Sequence, residues 1–575
     1  MNGVIVLVKK RGAGNTARSY RPISLINYDY KILSRILKHR LENVLQTHSV
    51  LTGSQKCSNT GRNIFQATLS MKDRIAQLKA NGRHGKLISF DLDHAFDRVD
   101  QQFLFNTMRS LGFNTALVNL LSRISTASSS RLLINGHLSA PFPIQRSVRQ
   151  GDPLSMHLFV IYLHPLLRQL ERVCGTDLVV AYADDISAIV TSVEQLNTMR
   201  DLIRRFGNAS GARLNEAKTT AIDVGETNHP MTVPWLRTEE TIKILGVVFT
   251  NSVQEMVSFN WNTLVTNFRR QIWHHSLRSL TLHQKVTLLN VFLTSKIWYM
   301  AANLAPTPAH IAKLTATMRS YLFRGCYATI PMQQMSRNRE DGGLKLHLPA
   351  LKCKALLINR HIHELDSLPF YNSLLQQAIP PNSNSIRDLP CFKIILSNIT
   401  HLPLQIRLHP SACSIHRYFI EQTDKPKVEI KNPNTNWVRV WKNISGRSLL
   451  SAEKSTLYMY LNNKLPHRQL LFKMRRTDEP VCIHCRAGEE TIQHKFFGCT
   501  RVRAAHQLLQ QKLLAWTGYQ RTLTIDELLR PSLEGISATP RREILKLLFR
   551  YITFIDNCNG RINVEELNFN LEVGV

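Results

Sequence analysis

Acidic residues are scarce in this chain. Asp and Glu together number 41 in 575 residues, against 73 Lys and Arg, for a net charge of +32. That imbalance disfavours cationic partners and points to a polyanion, most simply nucleic acid. Long apolar runs are missing too. None approaches the roughly 18 residues of a membrane span, so no membrane partner is expected. The opening run Val4–Val8 is too short for a signal-peptide core, and no basic residue precedes it. Cysteine is thinly spread. Of ten, seven stand apart: Cys57, Cys174, Cys326, Cys353, Cys391, Cys413 and Cys558. Without a secretory signal this disfavours a disulfide framework and fits a reducing, intracellular compartment. There is no internal repeat and no long low-complexity tract. Hydrophobic residues make up 43%, which excludes a mostly disordered chain, and the length allows two to four domains.

What is present reads as mixed α/β. Ile32, Leu33, Ile36, Leu37, Leu41, Val44 and Leu45 fall at helical spacing, with Lys31, Arg35, Lys38, His39 and Arg40 on the other face. Residues 86–250 alternate between strands and helices. Leu87–Phe90 is a short apolar run ending at Asp91. Leu178–Tyr182 is another, ending at Asp184-Asp185, with Ile186–Val190 as its hairpin partner and a helix around 155–172 between the two runs. Residues 255–325 are predicted to be mostly helical. Pro380–Ser385 and Lys431–Asn436 read as loops or linkers.

Asp91, Asp184 and Asp185 thus sit at predicted strand ends, where side chains from different strands converge at the rim of a sheet. Neighbouring aspartates on one strand point to opposite faces unless a tight turn reorients them. Carboxylates held close repel, and a hard divalent cation removes that cost. Two such ions suit activation of a 3′-hydroxyl and stabilisation of a leaving pyrophosphate.

The words around these acids occur in a set order. Phe90-Asp91-Leu92-Asp93-His94-Ala95-Phe96-Asp97-Arg98-Val99-Asp100, Arg149-Gln150-Gly151-Asp152-Pro153-Leu154-Ser155 and Tyr182-Ala183-Asp184-Asp185 resemble motifs A, B and C of reverse transcriptases, most closely those of LINE-type, non-LTR retrotransposons. Ser19–Leu25 resembles a fingers motif, Leu214–Thr219 motif D and Leu245-Gly246-Val247 motif E. Leu293–Tyr299 and Gly342–Leu346 resemble thumb and post-thumb blocks.

The resemblance implies a right-hand polymerase fold followed by a mostly helical C-terminal region with a small zinc knuckle. It implies partial fingers over 1–85, a palm over 86–250, a helical thumb over 255–345, a post-thumb linker region over 346–475, a CCHC knuckle over 476–505 and a tail segment over 506–575. Asp91, Asp184 and Asp185 become the catalytic ligands of two Mg²⁺ ions. Gln150 and Gly151 line the nucleotide pocket. Arg21, with Lys9 or Lys10, meets the triphosphate, and Lys218 stands near its β/γ-phosphates. Phe96, five residues after Asp91, occupies the place of the ring that blocks a ribose 2′-hydroxyl; its alternative is a core phenylalanine. Two departures stand out. Ser147 precedes Val148 where the family often has Gly, and Met156 follows Ser155 where Pro is common.

The three clustered cysteines join a histidine in C-x₂-C-x₈-H-x₄-C: Cys482, Cys485, His494 and Cys499. Three thiolates and an imidazole complete a closed, structural Zn²⁺ site. His484, inside the cysteine pair, is the weaker candidate. The spacing is similar to the LINE knuckle. Lys464, His467, Arg468, Lys473, Arg475 and Arg476 form a basic flank just upstream, and the knuckle is expected to fold as its own small unit.

The function expected is RNA-directed DNA polymerisation, with template RNA, a primer or target DNA and dNTPs as partners. The resemblance also implies a nuclear location, with cytoplasmic ribonucleoprotein assembly. The chain begins inside the fingers and carries no recognisable endonuclease, which reads as a 5′-truncated element. The other reading is an inactive remnant that only binds nucleic acid.

Overall fold

The computed structural model describes all residues except 1, 11–13, 15, 17–18, 59–60, 176–177, 227–230, 327–328, 365–367, 370–371, 374–394, 396, 400, 518–521, 559 and 573–575. Pro380–Ser385 and Cys391 therefore lie outside the described residues. The chain divides into two compact units. One comprises 1–260 and 360–397, the other 261–359 and 398–575.

In the first unit, β1 (Asn2–Lys9), β2 (Tyr20–Ile26) and α1 (Tyr28–Thr47) lead into α2 (Ile64–Ala80) and β3 (His84–Phe90). There follow α3 (Gln101–Ser110), α4 (Thr115–Thr126), β4 (Ser129–Ile134) and two short strands, β5 (His137–Leu138) and β6 (Phe142–Pro143). Next come α5 (Ser155–Cys174), β7 (Val179–Tyr182), β8 (Asp185–Val190), α6 (Val193–Ser210) and β9 (Thr220–Gly225). The short strands β10 (Arg237–Thr238), β11 (Ile242–Ile244) and β12 (Val247–Phe249) follow.

The sheet that matters for function runs β10-β9-β3-β8-β7, with β3 antiparallel to both β8 and β9. Its central residues Leu87, Ile88 and Phe90 are fully buried. Helix α5 supplies the other side of this core, with Phe159, Val160, Ile161, Leu163 and Leu167 all inaccessible. Burial on this scale stabilises at roughly 25 cal/mol per Å² of apolar surface, so this is the rigid floor of the unit. A second sheet, β2-β1-β4-β5 with β6 beside β4, carries the N-terminal strands.

The predicted helix over 32–45 exists, but its apolar side is not all core. Leu37, Leu41 and Leu45 are buried along with Ser34, whereas Ile32, Leu33, Ile36 and Val44 face outward. Periodicity reports which face is apolar, not whether a neighbour covers it.

The second unit is helical. Helices Leu282–Leu288 and Ser295–Asn303 are joined through a π-turn, Leu289–Leu293, and Pro308–Leu322 begins with a Thr307 cap and Pro at its first position. The Gly342-Gly343 pair is fixed by packing. A Cβ on Gly342 (φ +76°) would sit 2.8 Å from the Trp441 ring, and one on Gly343 would overlap the Arg337 carbonyl. The Tyr458 hydroxyl donates to the Gly342 carbonyl at 3.0 Å.

Of the two readings for Lys431–Asn436, loop or linker, the structure has the loop. The Asn432 carbonyl accepts from the Trp437 indole (2.9 Å), and its side-chain oxygen accepts from Arg530 (2.8 Å), between helices Lys427–Lys431 and Trp437–Ile444. No helix among the described residues is long and apolar enough to cross a membrane.

Candidate active site and metal centre

Asp91 follows the last residue of β3. Asp184 lies in the two-residue turn between β7 and β8, where Tyr182 pairs with Asp185. Because Phe90 pairs with Ile186, the β3 end and the hairpin tip lie side by side. The two aspartates are thus carried by a tight turn and not by a continuous strand. The turn's first central residue, Ala183, takes φ +56°, a conformation that favours glycine. It is held there by Gln55, a buried residue that no sequence motif marked. The Gln55 amide accepts from the Ala183 N–H (3.1 Å) and donates to the Ala183 carbonyl (3.4 Å).

The three carboxylates feel one another. Burial, then the charges of Asp184 and Asp91, push Asp185 up to about 6. Burial also raises Asp184, with Asp91 adding to it, and raises Asp91 against the pull of Lys218 and Asn215. A cluster of oxygen donors, destabilised in its ionised form by burial and mutual repulsion, fits a hard divalent cation. Cations border it. The Lys218 ammonium, largely exposed, lies 4.0 Å from the Asp91 carboxylate. Arg21 on β2 acts on Asp184, and Lys10 acts on Asp91.

The motif D loop is zipped to the acid. Asn215 N–H donates to the Asp91 carbonyl at 2.8 Å, and the Asp93 N–H donates to Arg213. Glu216 anchors the same loop to α6 through Arg200 and Arg204, each 2.9 Å away.

The expected nucleotide-pocket residues also converge. Phe96 stacks on buried Phe159, with ring centroids 4.3 Å apart. The Gln150 carbonyl accepts from Ser24 of β2 at 2.7 Å, and its side-chain amide donates to Asp97 at 3.3 Å. Gly151 has φ +114°, and a Cβ there would come within 2.6 Å of the Ser24 carbonyl, so this loop admits only glycine at the point where it crosses β2. Asp152 ties motif B to α1, accepting hydrogen bonds from Tyr30 (2.8 Å) and Ser34.

Ser147 takes φ +105° in the same loop, at the position where the resembling family often has Gly. Such backbone in a residue with a Cβ costs about 1–3 kcal/mol. Ser147→Gly is therefore expected to stabilise the protein by about 1 kcal/mol, read as a higher denaturant midpoint at unchanged slope.

The second cluster forms as its spacing implied. One donor atom from each of Cys482, Cys485, His494 and Cys499 lies within 4.8 Å of the others. The Cys485 sulfur is 3.2 Å from His494 Nε2, and the sulfurs of Cys482 and Cys499 are 3.8 Å apart. His484 turns away and accepts from Arg501 at 2.6 Å. Burial pushes the Cys482 thiol up to about 12, a cost that a bound cation removes by holding the thiolate. The cluster is not a detached bead. The Tyr551 hydroxyl of helix Ala538–Asn557 donates to the Phe496 carbonyl (2.6 Å), the Tyr551 ring stacks on Phe497, and Lys495 pairs with Asp556.

The family model described as "Reverse transcriptase (RNA-dependent DNA polymerase)" matches residues 8–249, a span that contains all three acids. Residues 8–249 are a reverse transcriptase domain. Relatives of this domain occur in mobile elements. The Transposon TX1 uncharacterized 149 kDa protein of Xenopus laevis is 29% identical over 56% of this chain and 26% of its own length. The Retrovirus-related Pol polyprotein from type-1 retrotransposable element R2 of Popillia japonica is 25% identical over 59% of this chain and 50% of its own. The Probable RNA-directed DNA polymerase from transposon BS of Drosophila melanogaster is 22% identical over 33% of this chain and 21% of its own. The chain thus spans half or less of the length of these relatives. The reverse transcriptase domain ends before the cysteine-histidine cluster, which lies in the second unit.

Proposed function

We propose that this chain is an RNA-directed DNA polymerase of a non-LTR retrotransposon, extending a DNA 3′-hydroxyl along an RNA template with dNTPs. The observation that carries this reading is the convergence of Asp91, Asp184 and Asp185 at the rim of one antiparallel sheet, bordered by Lys218, Arg21 and Lys10. In this reading the three aspartates hold two Mg²⁺ ions, which when bound supply Lewis-acid stabilisation of the attacking and leaving oxygens. Lys218, Arg21 and Lys10 neutralise the triphosphate. Gln150 and Gly151 shape the pocket. The thiolates of Cys482, Cys485 and Cys499 with His494 hold one structural Zn²⁺. The fingers occupy 1–85, the palm 86–250 and the thumb 255–345, and the working location is the nucleus.

The direct test is primer extension on an RNA template, with and without Mg²⁺. Absence of any Mg²⁺-dependent product from folded, RNA-binding protein would overturn the polymerase reading.

Phe96 gives a finer test. With one face on Phe159, the ring is fixed rather than mobile, as a steric gate must be. Phe96→Ala is expected to raise ribonucleotide incorporation relative to deoxynucleotide by about tenfold or more, equivalent to at least 1.4 kcal/mol of lost discrimination. Unchanged sugar selectivity with lowered stability would leave Phe96 a packing residue only.

A further inference from the structure

Asp97 has no part in the metal site, yet it is half-buried beside the nucleotide pocket. We infer that Asp97 is a positioning residue that sets nucleotide selectivity by orienting the Gln150 amide. The inference rests on the polymerase reading above.

The backbone around Gln150 is already pinned. Its carbonyl accepts from Ser24, Gly151 is wedged against β2, and the loop is laced to the motif A turn by Val148 N–H to the Phe96 carbonyl (3.0 Å) and Ser147 N–H to Val99 (2.9 Å). What remains free is the side-chain torsion and the choice of which amide atom faces the pocket. An ionised carboxylate only accepts hydrogen bonds, so the Gln150 Nε2 must turn toward Asp97 Oδ1. That leaves the Gln150 carbonyl oxygen and one N–H for a ligand. The other Asp97 oxygen faces His94, 3.7 Å from its Nδ1. Phe96, adjacent in the chain, is the sugar-gate candidate, so one short turn would fix both the gate and the amide beside it.

The test is a double-mutant cycle on the full chain: wild type, Asp97→Ala, Gln150→Ala and the double variant, with Asp97→Asn as the conservative control. Each is measured for dNTP affinity by titration, for single-turnover extension, for correct-over-incorrect selection and for thermal melting. Asp97→Ala is expected to weaken dNTP binding and selection by about tenfold, the order of one charge-assisted hydrogen bond. The double variant should be no worse than Gln150→Ala alone. Asp97→Asn keeps an acceptor oxygen and should recover most of the loss. Full additivity of the two single effects, or a normal Asp97→Ala enzyme, overturns the inference, as does a loss that Asp97→Asn fails to recover when its melting is normal. A wild type that binds dNTPs but never extends a primer sinks the polymerase reading instead; coupling between positions 97 and 150 in dNTP affinity still decides this one.

Discussion

Asp184→Asn is expected to stop primer extension, with a rate loss of at least about three orders of magnitude. The asparagine keeps the shape of the hairpin tip but removes one anionic ligand from a set of three. Template binding should persist, because it draws on the basic surface rather than on this acid. The fold should persist as well. The three carboxylates repel one another in the absence of cations, and burial raises the cost of each charge. Removing one therefore relieves the protein, and the variant should melt no lower than its parent. Function and stability then move in opposite directions, as expected where a site is strained for its task. Rapid-quench extension, filter binding and calorimetric melting on one preparation check all three parts. Near-normal extension by the variant would dissolve the assignment of Asp184.

The second large effect concerns the cysteine-histidine cluster. Cys485→Ser should cost one metal equivalent per chain by elemental analysis. Structural zinc contributes to folding directly, at about 10–16 kcal/mol in isolated peptides, so the loss should be severe. Its reach is the informative part. A self-contained knuckle would lose order only within about 476–505. Phe496 and Phe497, however, pack on Tyr551, and Lys495 pairs with Asp556. Chelation is therefore expected to expose helix Ala538–Asn557 to protease together with the cluster. Cleavage confined to the cysteine loop would restore the picture of a separate bead.

The sequence made the acids legible because their chemistry is local: each carboxylate ends a recognisable strand within a few residues of its motif. Gln55 was not legible. It acts on Ala183, 128 residues away, and nothing in its own neighbourhood announces the contact. Asp97 was visible only as part of a motif, since its partner Gln150 arrives from another loop. The outward-facing Ile32, Leu33, Ile36 and Val44 show the limit of periodicity, which cannot say what covers a face. Lys431–Asn436 shows the limit of composition. Asn and Pro mark a chain reversal, but here the reversal is bolted down by Trp437 and Arg530.

The two glycines beside Trp441 carry an evolutionary implication. With the indole seated where a Gly342 side chain would grow, neither position can drift alone. A methyl at 342 would be admissible only after both the ring at 441 had shrunk and Pro426 had given way. Even with the indole lost, the Pro426 ring, 2.7 Å from that Cβ, and the positive φ would still favour glycine at 342. A substitution at any one of Gly342, Pro426 and Trp441 is therefore felt at the others, although nearly a hundred residues of chain lie between the first and the last.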